Sequence, residues 1–150
     1  MENKNERVLS CYEATIQGKL DCLKYAHENG CELGAWICNF AATHGHLDCL
    51  KYIIENGYND WCWVSIVCAR GDLDFLRCAH ECDKNGYDVG YIGSVETLHI
   101  RGGGIAAAEN GHLDCLKYLH EHGMKLTKDM CWEAAKNHHQ DCVKYYHENA

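Results

Sequence analysis

The sequence predicts an all-α chain: a helical solenoid of about five helix-turn-helix repeats, mostly 26–27 residues each, with an insertion between repeats 3 and 4. Three observations predict it. A string of residues recurs along the chain, a second short segment precedes each copy, and the apolar positions inside the string follow a helical period.

The string reads LDCLKYAHENG at 20–30, LDCLKYIIENG at 47–57 and LDCLKYLHEHG at 113–123. A lengthened variant, LDFLRCAHECDKNG, occupies 73–86, and QDCVKYYHENA occupies 140–150. Starts at 20, 47, 73, 113 and 140 give steps of 27, 26, 40 and 27, so the third step holds about 13 extra residues. Three of these fall near 82–84 and the rest around 90–103. At roughly 100° per residue, Leu20, Cys22, Leu23, Ala26 and His27 share one side of a helix, and Asp21, Lys24 and Glu28 share the other. One face is therefore buried and one is wet. Most copies stop at Asn-Gly or a near relative, where Gly takes a left-handed conformation after the last helical turn without a Cβ penalty. Asp21, Asp48, Asp74, Asp114 and Asp141 recur in the first turn, where a carboxylate meets the positive end of the helix dipole.

The preceding segments are CYEATIQG at 11–18, CNFAATHG at 38–45, VSIVCARG at 64–71, GIAAAENG at 104–111 and CWEAAKNH at 131–138. Small or apolar pairs such as Ala41 and Ala42, Val67 and Cys68, or Ala107 and Ala108 recur in them. These read as shorter helices that permit close approach. A two-helix unit of this kind cannot bury its apolar faces alone and must stack on its neighbours. The expected organisation is one domain, 1–150, with units at about 8–30, 35–57, 61–86, 103–123 and 128–150.

The strings AATHGHL at 41–47 and AAENGHL at 107–113, each running into an apolar helix and a terminal Gly, resemble the ankyrin repeat. More narrowly, the chain is similar to the short, Cys-rich ankyrin-like repeats that giant DNA viruses of amoebae encode in large numbers. The resemblance implies a non-catalytic module that holds a partner protein, a host protein in the viral case, and an intracellular, cytoplasmic location. An F-box-like segment, the added part through which some viral ankyrin proteins act as ubiquitin-ligase adaptors, is not expected in these 150 residues. The unit departs from the 33-residue ankyrin repeat in its length and in lacking Thr-Pro-Leu-His, the chain having no proline. The projecting turns between units are therefore expected to be shortened or lost. Thr97-Leu98-His99 echoes the opening motif, but Arg101 to Gly104 separate it from Ala107 and Ala108.

Composition excludes several function classes. The net charge of -8, with 14 Lys and Arg spread evenly, disfavours nucleic acid as a partner. No apolar run approaches the ~18 residues of a membrane span, and the polar start carries no secretory signal. With an intracellular setting, the twelve cysteines read as free thiols.

Twelve Cys and eleven His also raise a competing class, a Cys/His metal-binding or redox protein. The internal alignment argues for packing instead. Phe75 fills the slot of Cys22, Cys49, Cys115 and Cys142; Ile54 fills that of His27, His80, His120 and His147; Cys78 fills that of Tyr25, Tyr52, Tyr118 and Tyr145. No Cys-x-x-Cys occurs. Neither metal nor cofactor nor catalytic residue is expected. His46 and His112, each following Gly, are expected to hydrogen-bond nearby backbone. Gly102-Gly103-Gly104 lacks a following Lys-Ser or Lys-Thr and reads as a flexible join rather than a phosphate cradle.

A partner, on this reading, meets the residues that do not repeat. The candidate contact residues are Tyr58, Asn59, Asp60 and Trp61 in one join, and Tyr87, Asp88 and Tyr91 in the insertion. Trp36, Trp63 and Trp132 are expected to seal the core where one unit meets the next. The partner is expected to be a protein, and the chain itself a monomer.

Overall fold

A computed structural model describes residues 9–58, 63–85 and 98–150. Through them run ten helices: α1 Cys11–Ile16, α2 Leu20–Glu28, α3 Ile37–His44, α4 Leu47–Glu55, α5 Trp63–Arg70, α6 Leu73–Lys84, α7 Leu98–Glu109, α8 Leu113–Glu121, α9 Lys128–Lys136 and α10 Gln140–Asn149. No strand occurs among the described residues. The chain divides into two compact units, 1–60 and 61–150.

In residues 1–60, α1 pairs with α2 and α3 with α4, and the pairs stack first helix on first helix and second on second. Residues 61–150 repeat the scheme with α5–α6, α7–α8 and α9–α10, the first helices α5, α7 and α9 packing in series. The small residues of the first helices fill these contacts: Ala14, Ala41, Ala42, Val67, Cys68, Ala107, Ala108 and Ala134 are all buried. From the second helices come Leu23, Leu50, Leu76 and Leu116, each worth about 1.5–3 kcal/mol when removed from water. In the slot of Cys22, Cys49, Phe75, Cys115 and Cys142 every member but half-buried Cys22 is buried, which suits a thiol or a phenyl ring equally.

Helices end as the glycines predict. Gly30, Gly57 and Gly123 follow the second helices at φ 91°, 83° and 103°. Before several of these ends an Asn side chain donates back one turn, Asn29 to the Tyr25 carbonyl and Asn56 to that of Tyr52, both at 2.8 Å.

The first helices end on a glycine with a second duty. In Gly18, Gly71 and Gly111, φ is again positive, and the imidazole of a histidine from the following unit lies against each Cα. His46 donates from Nε2 to the Ile16 carbonyl at 3.0 Å, His112 to that of Ala69 at 2.9 Å and His139 to that of Glu109 at 3.0 Å. The expected backbone bond of His46 and His112 is thus a joint between units, tying each ring to the end of the preceding first helix. Glycine and histidine fit as a pair, since a Cβ at Gly71 would stand 2.6 Å from the His112 ring. At the corresponding place in the fifth unit, exposed His138 adopts φ 64° with its side chain in the open.

One expectation fails here. Gly102-Gly103-Gly104 is not a flexible join: α7 begins at Leu98 and carries all three glycines inside it. Glycine is poor in a helix interior, costing roughly 1 kcal/mol relative to Ala, but a Cβ at Gly103 would lie 3.1 Å from Val64 and 3.2 Å from the Cys68 sulfur. One at Gly104 would meet Met124 at 2.5 Å and Met130 at 2.7 Å. Close approach of α7 to its neighbours therefore demands what helix propensity opposes.

The same position shows how the units compensate. Cys11 and Cys38, at the place of Gly104 in their own units, direct their thiols to the carbonyls of Cys31 and Tyr58, both at 3.5 Å. In the fourth unit Met124 stands where Cys31 and Tyr58 do, and its bulk takes the room that the missing thiol leaves.

Candidate partner-binding surface

The join at 31–36 runs past the start of α1. Leu33 turns inward and is buried, anchoring the segment. Tyr12 lies across the join, donating its hydroxyl proton to the Ala35 carbonyl at 2.9 Å, and its ring meets Phe40 edge to face at 5.7 Å. Gly34 sits directly beneath the Tyr12 hydroxyl, leaving no room for a side chain.

Trp36 follows, at the N-terminal cap of α3, in the left-handed conformation at φ 70° and ψ 0°. Its indole is 58% exposed. This corrects the expectation that Trp36, Trp63 and Trp132 seal the core: Trp63 is fully buried, whereas Trp36 and Trp132 stand in solvent, Trp132 at 69%. The reason is helical phase. Trp63 opens α5 on its inward side, next to buried Val64, while Trp132 follows Met130, which takes the buried face of α9.

Of the contact residues expected from sequence, Tyr58 is described and partly exposed, its ring edge to face with His27 at 6.2 Å. Asn59, Asp60, Trp61, Tyr87, Asp88 and Tyr91 lie outside the described residues. The exposed Trp36 and Trp132 were hidden from sequence reasoning because an aromatic beside an amphipathic helix looks the same whether it closes the core or leaves it.

The second-helix side is arranged differently. His27 Nδ1 and the Tyr52 hydroxyl share a hydrogen bond of 2.8 Å, and the Lys24 ammonium lies 5.8 Å from the centre of the Tyr52 ring. His120 and Tyr145 repeat that bond at 2.8 Å, with Lys117 5.6 Å from the ring centre. Burial raises the phenol pKa of both tyrosines, and the carboxylates of Glu28 and Glu121 add to it. In these two repeats the histidine is therefore a bonded one. Ile54 fills the histidine slot of the second repeat, and Cys78 fills the tyrosine slot of the third.

Five of the thiols are held away from reactivity. Burial, then the neighbouring Cys31, pushes Cys11 up to about 12, and burial with the charges of Asp114 and Asp72 pushes Cys115 up to about 11. Cys49, Cys68 and Cys142 are raised as well, mainly by burial. The thiolate is the nucleophile and the metal ligand, so these groups stay protonated and inert near neutral pH. Among the described residues no three His, Cys, Asp or Glu side chains come together as a ligand set, and no helix is long and apolar enough to cross a membrane.

Comparison with known proteins places the fold. The chain is similar to the ankyrin repeat domain of human ASB11, with a TM-score of 0.67 and 20% identity, over 92% of this chain and 67% of that one. The ten helices thus pair in the manner of ankyrin helix-turn-helix repeats. No family model matches the sequence, and no curated protein matches it.

Proposed function

We propose that this chain is a non-catalytic scaffold for protein–protein interaction, one domain of five repeats whose joins grip a partner. The observation that carries this reading is the exposure of Trp36, Tyr58 and Trp132 at places that do not repeat, on a fold whose repeated residues are spent on stacking. Large aromatics left in water cost solubility and contribute nothing to the core, and they are the side chains that most often anchor interfaces.

In this reading Tyr58, Asn59, Asp60 and Trp61 form one contact segment, and Tyr87, Asp88 and Tyr91 of the insertion form a second. The partner is a protein, and the similarity to viral repeats makes a host cytoplasmic protein its class. Affinity capture from host lysate with the intact chain, repeated with Tyr58→Ala plus Trp61→Ala, tests the assignment. The double variant is expected to keep its helical circular dichroism and to lose the captured protein. Loss of helical signal would show these two residues to be core and would sink the assignment.

A further inference from the structure

We infer that Cys31, at the head of the 31–36 join, is a site of oxidation by hydroperoxides, and that Cys11 closes the oxidised sulfur into a reversible disulfide. This chemistry is independent of the partner-binding reading above.

Contact is the first ground. The Cys31 sulfur accepts a hydrogen bond from the Cys11 amide at 3.3 Å, and the Cys11 thiol donates to the Cys31 carbonyl at 3.5 Å. Burial, and then the hydrogen-bonding Cys31 thiol, holds the proton on Cys11. The fourth repeat shows separately that these two positions face one another, since a Cβ at Gly104 would lie 2.5 Å from the Met124 sulfur. Tyr58 and Met124 fill the place of Cys31 in other repeats, so packing does not require a thiol there.

Exposure sets which sulfur reacts first. Cys11 is fully buried, whereas Cys31 is half-buried and open to solvent. Cys115 adds to the burial that raises Cys68, so those two thiols are also near each other, but both are buried and shielded from a dissolved oxidant. Cys131, half-buried like Cys31, faces the His147 imidazole at 3.9 Å.

Oxidation then takes two steps. The Cys31 sulfur attacks one oxygen of the hydroperoxide; an S–O bond forms, the O–O bond breaks, and an alcohol leaves with the proton that Cys31 gives up. The Cys11 sulfur next attacks the sulfenic sulfur; an S–S bond forms, the S–O bond breaks, and water leaves with the Cys11 proton. Two thiols and one hydroperoxide become one disulfide, one alcohol and one water.

Protonation opposes the second step and contact favours it. With Cys11 pushed up to about 12, only about one molecule in 10⁵ carries its thiolate at neutral pH. Well-oriented groups held together react as though one were present at roughly 10⁵–10⁸ M, which offsets that scarcity. Reagents in solution have no such advantage, and toward them Cys11 stays inert.

The test treats the full chain, reduced and folded, with tert-butyl hydroperoxide at neutral pH, blocks the remaining thiols in denaturant and maps the peptides without reduction. The peptide holding Cys11 is expected to be linked to the one holding Cys31, the chain losing about 2 Da and regaining it with dithiothreitol. Cys31→Ser, at a place that Tyr and Met fill elsewhere, is expected to fold and to leave Cys11 unoxidised. Cys11→Ala, at a place that Val64 and Gly104 fill elsewhere, is expected to stop at the sulfenic acid, so that dimedone labels Cys31 about fivefold more than in the parent chain. Equal dimedone labelling in the two chains, a Cys31 that stays a thiol, linkage of Cys31 to any cysteine other than Cys11, or oxidation of Cys11 in Cys31→Ser would each overturn the inference. The parent-chain map decides it even where a variant fails to fold.

Discussion

Tyr52 and Tyr145, on the second-helix side, are half-buried, each hydrogen-bonded to a histidine with a lysine ammonium over its ring. Trp36, on the join side, has an exposed indole and sits in a conformation that favours glycine. The first pair recurs because it ties one repeat to the next within 1–60 and again within 61–150. The second position is free of that constraint. Repetition therefore marks residues committed to stability, and its absence marks residues available for something else.

The comparison can be broken at three points. The largest effect is expected at the glycines. Gly71→Ala combines a left-handed backbone with a clash against the hydrogen-bonded His112 ring, and should cost about 2–4 kcal/mol in urea denaturation. Gly123→Ala, at φ 103° with nothing within 4 Å, should cost only about 1–2 kcal/mol. Equal losses at the two sites would mean that the histidine joint contributes nothing.

A smaller effect is expected for the His120–Tyr145 bond. Tyr145→Phe and His120→Ala should each destabilise by about 1 kcal/mol, and the double variant by less than their sum, with a coupling of about 0.5–1 kcal/mol. Strict additivity would show that the bond does not couple the two helices. The smallest effect is expected at the exposed tryptophan of α9, where Trp132→Ala should alter stability by no more than about 0.5 kcal/mol. A loss as large as that of a core tryptophan, about 3–5 kcal/mol, would place the indole in a packing role that its exposure denies.

Much of this arrangement was legible in the residues themselves. The spacing of Leu20, Leu23 and Ala26 fixed the second helices to within a residue of their observed ends, and the Gly-His step announced a backbone bond before its carbonyl was known. Two things were not legible. Three successive glycines in α7 look like a hinge, because local propensity carries no information about how near Val64 and Met124 will come. Likewise Trp36 caps a helix, Trp63 opens one and Trp132 lies inside one, and only the packed phase of that helix decides which of them is covered.

What the sequence determined by itself was the unit: helix periodicity, glycine stops and the repeat step are local properties, set within a few residues by backbone sterics and the alternation of apolar and polar side chains. What only the tertiary structure decided was which carbonyl each histidine reaches, why Gly103 and Gly104 are helical and which tryptophans remain in water. Those outcomes depend on the distance and rotation between neighbouring helices, quantities that close packing fixes collectively and no single stretch of chain encodes.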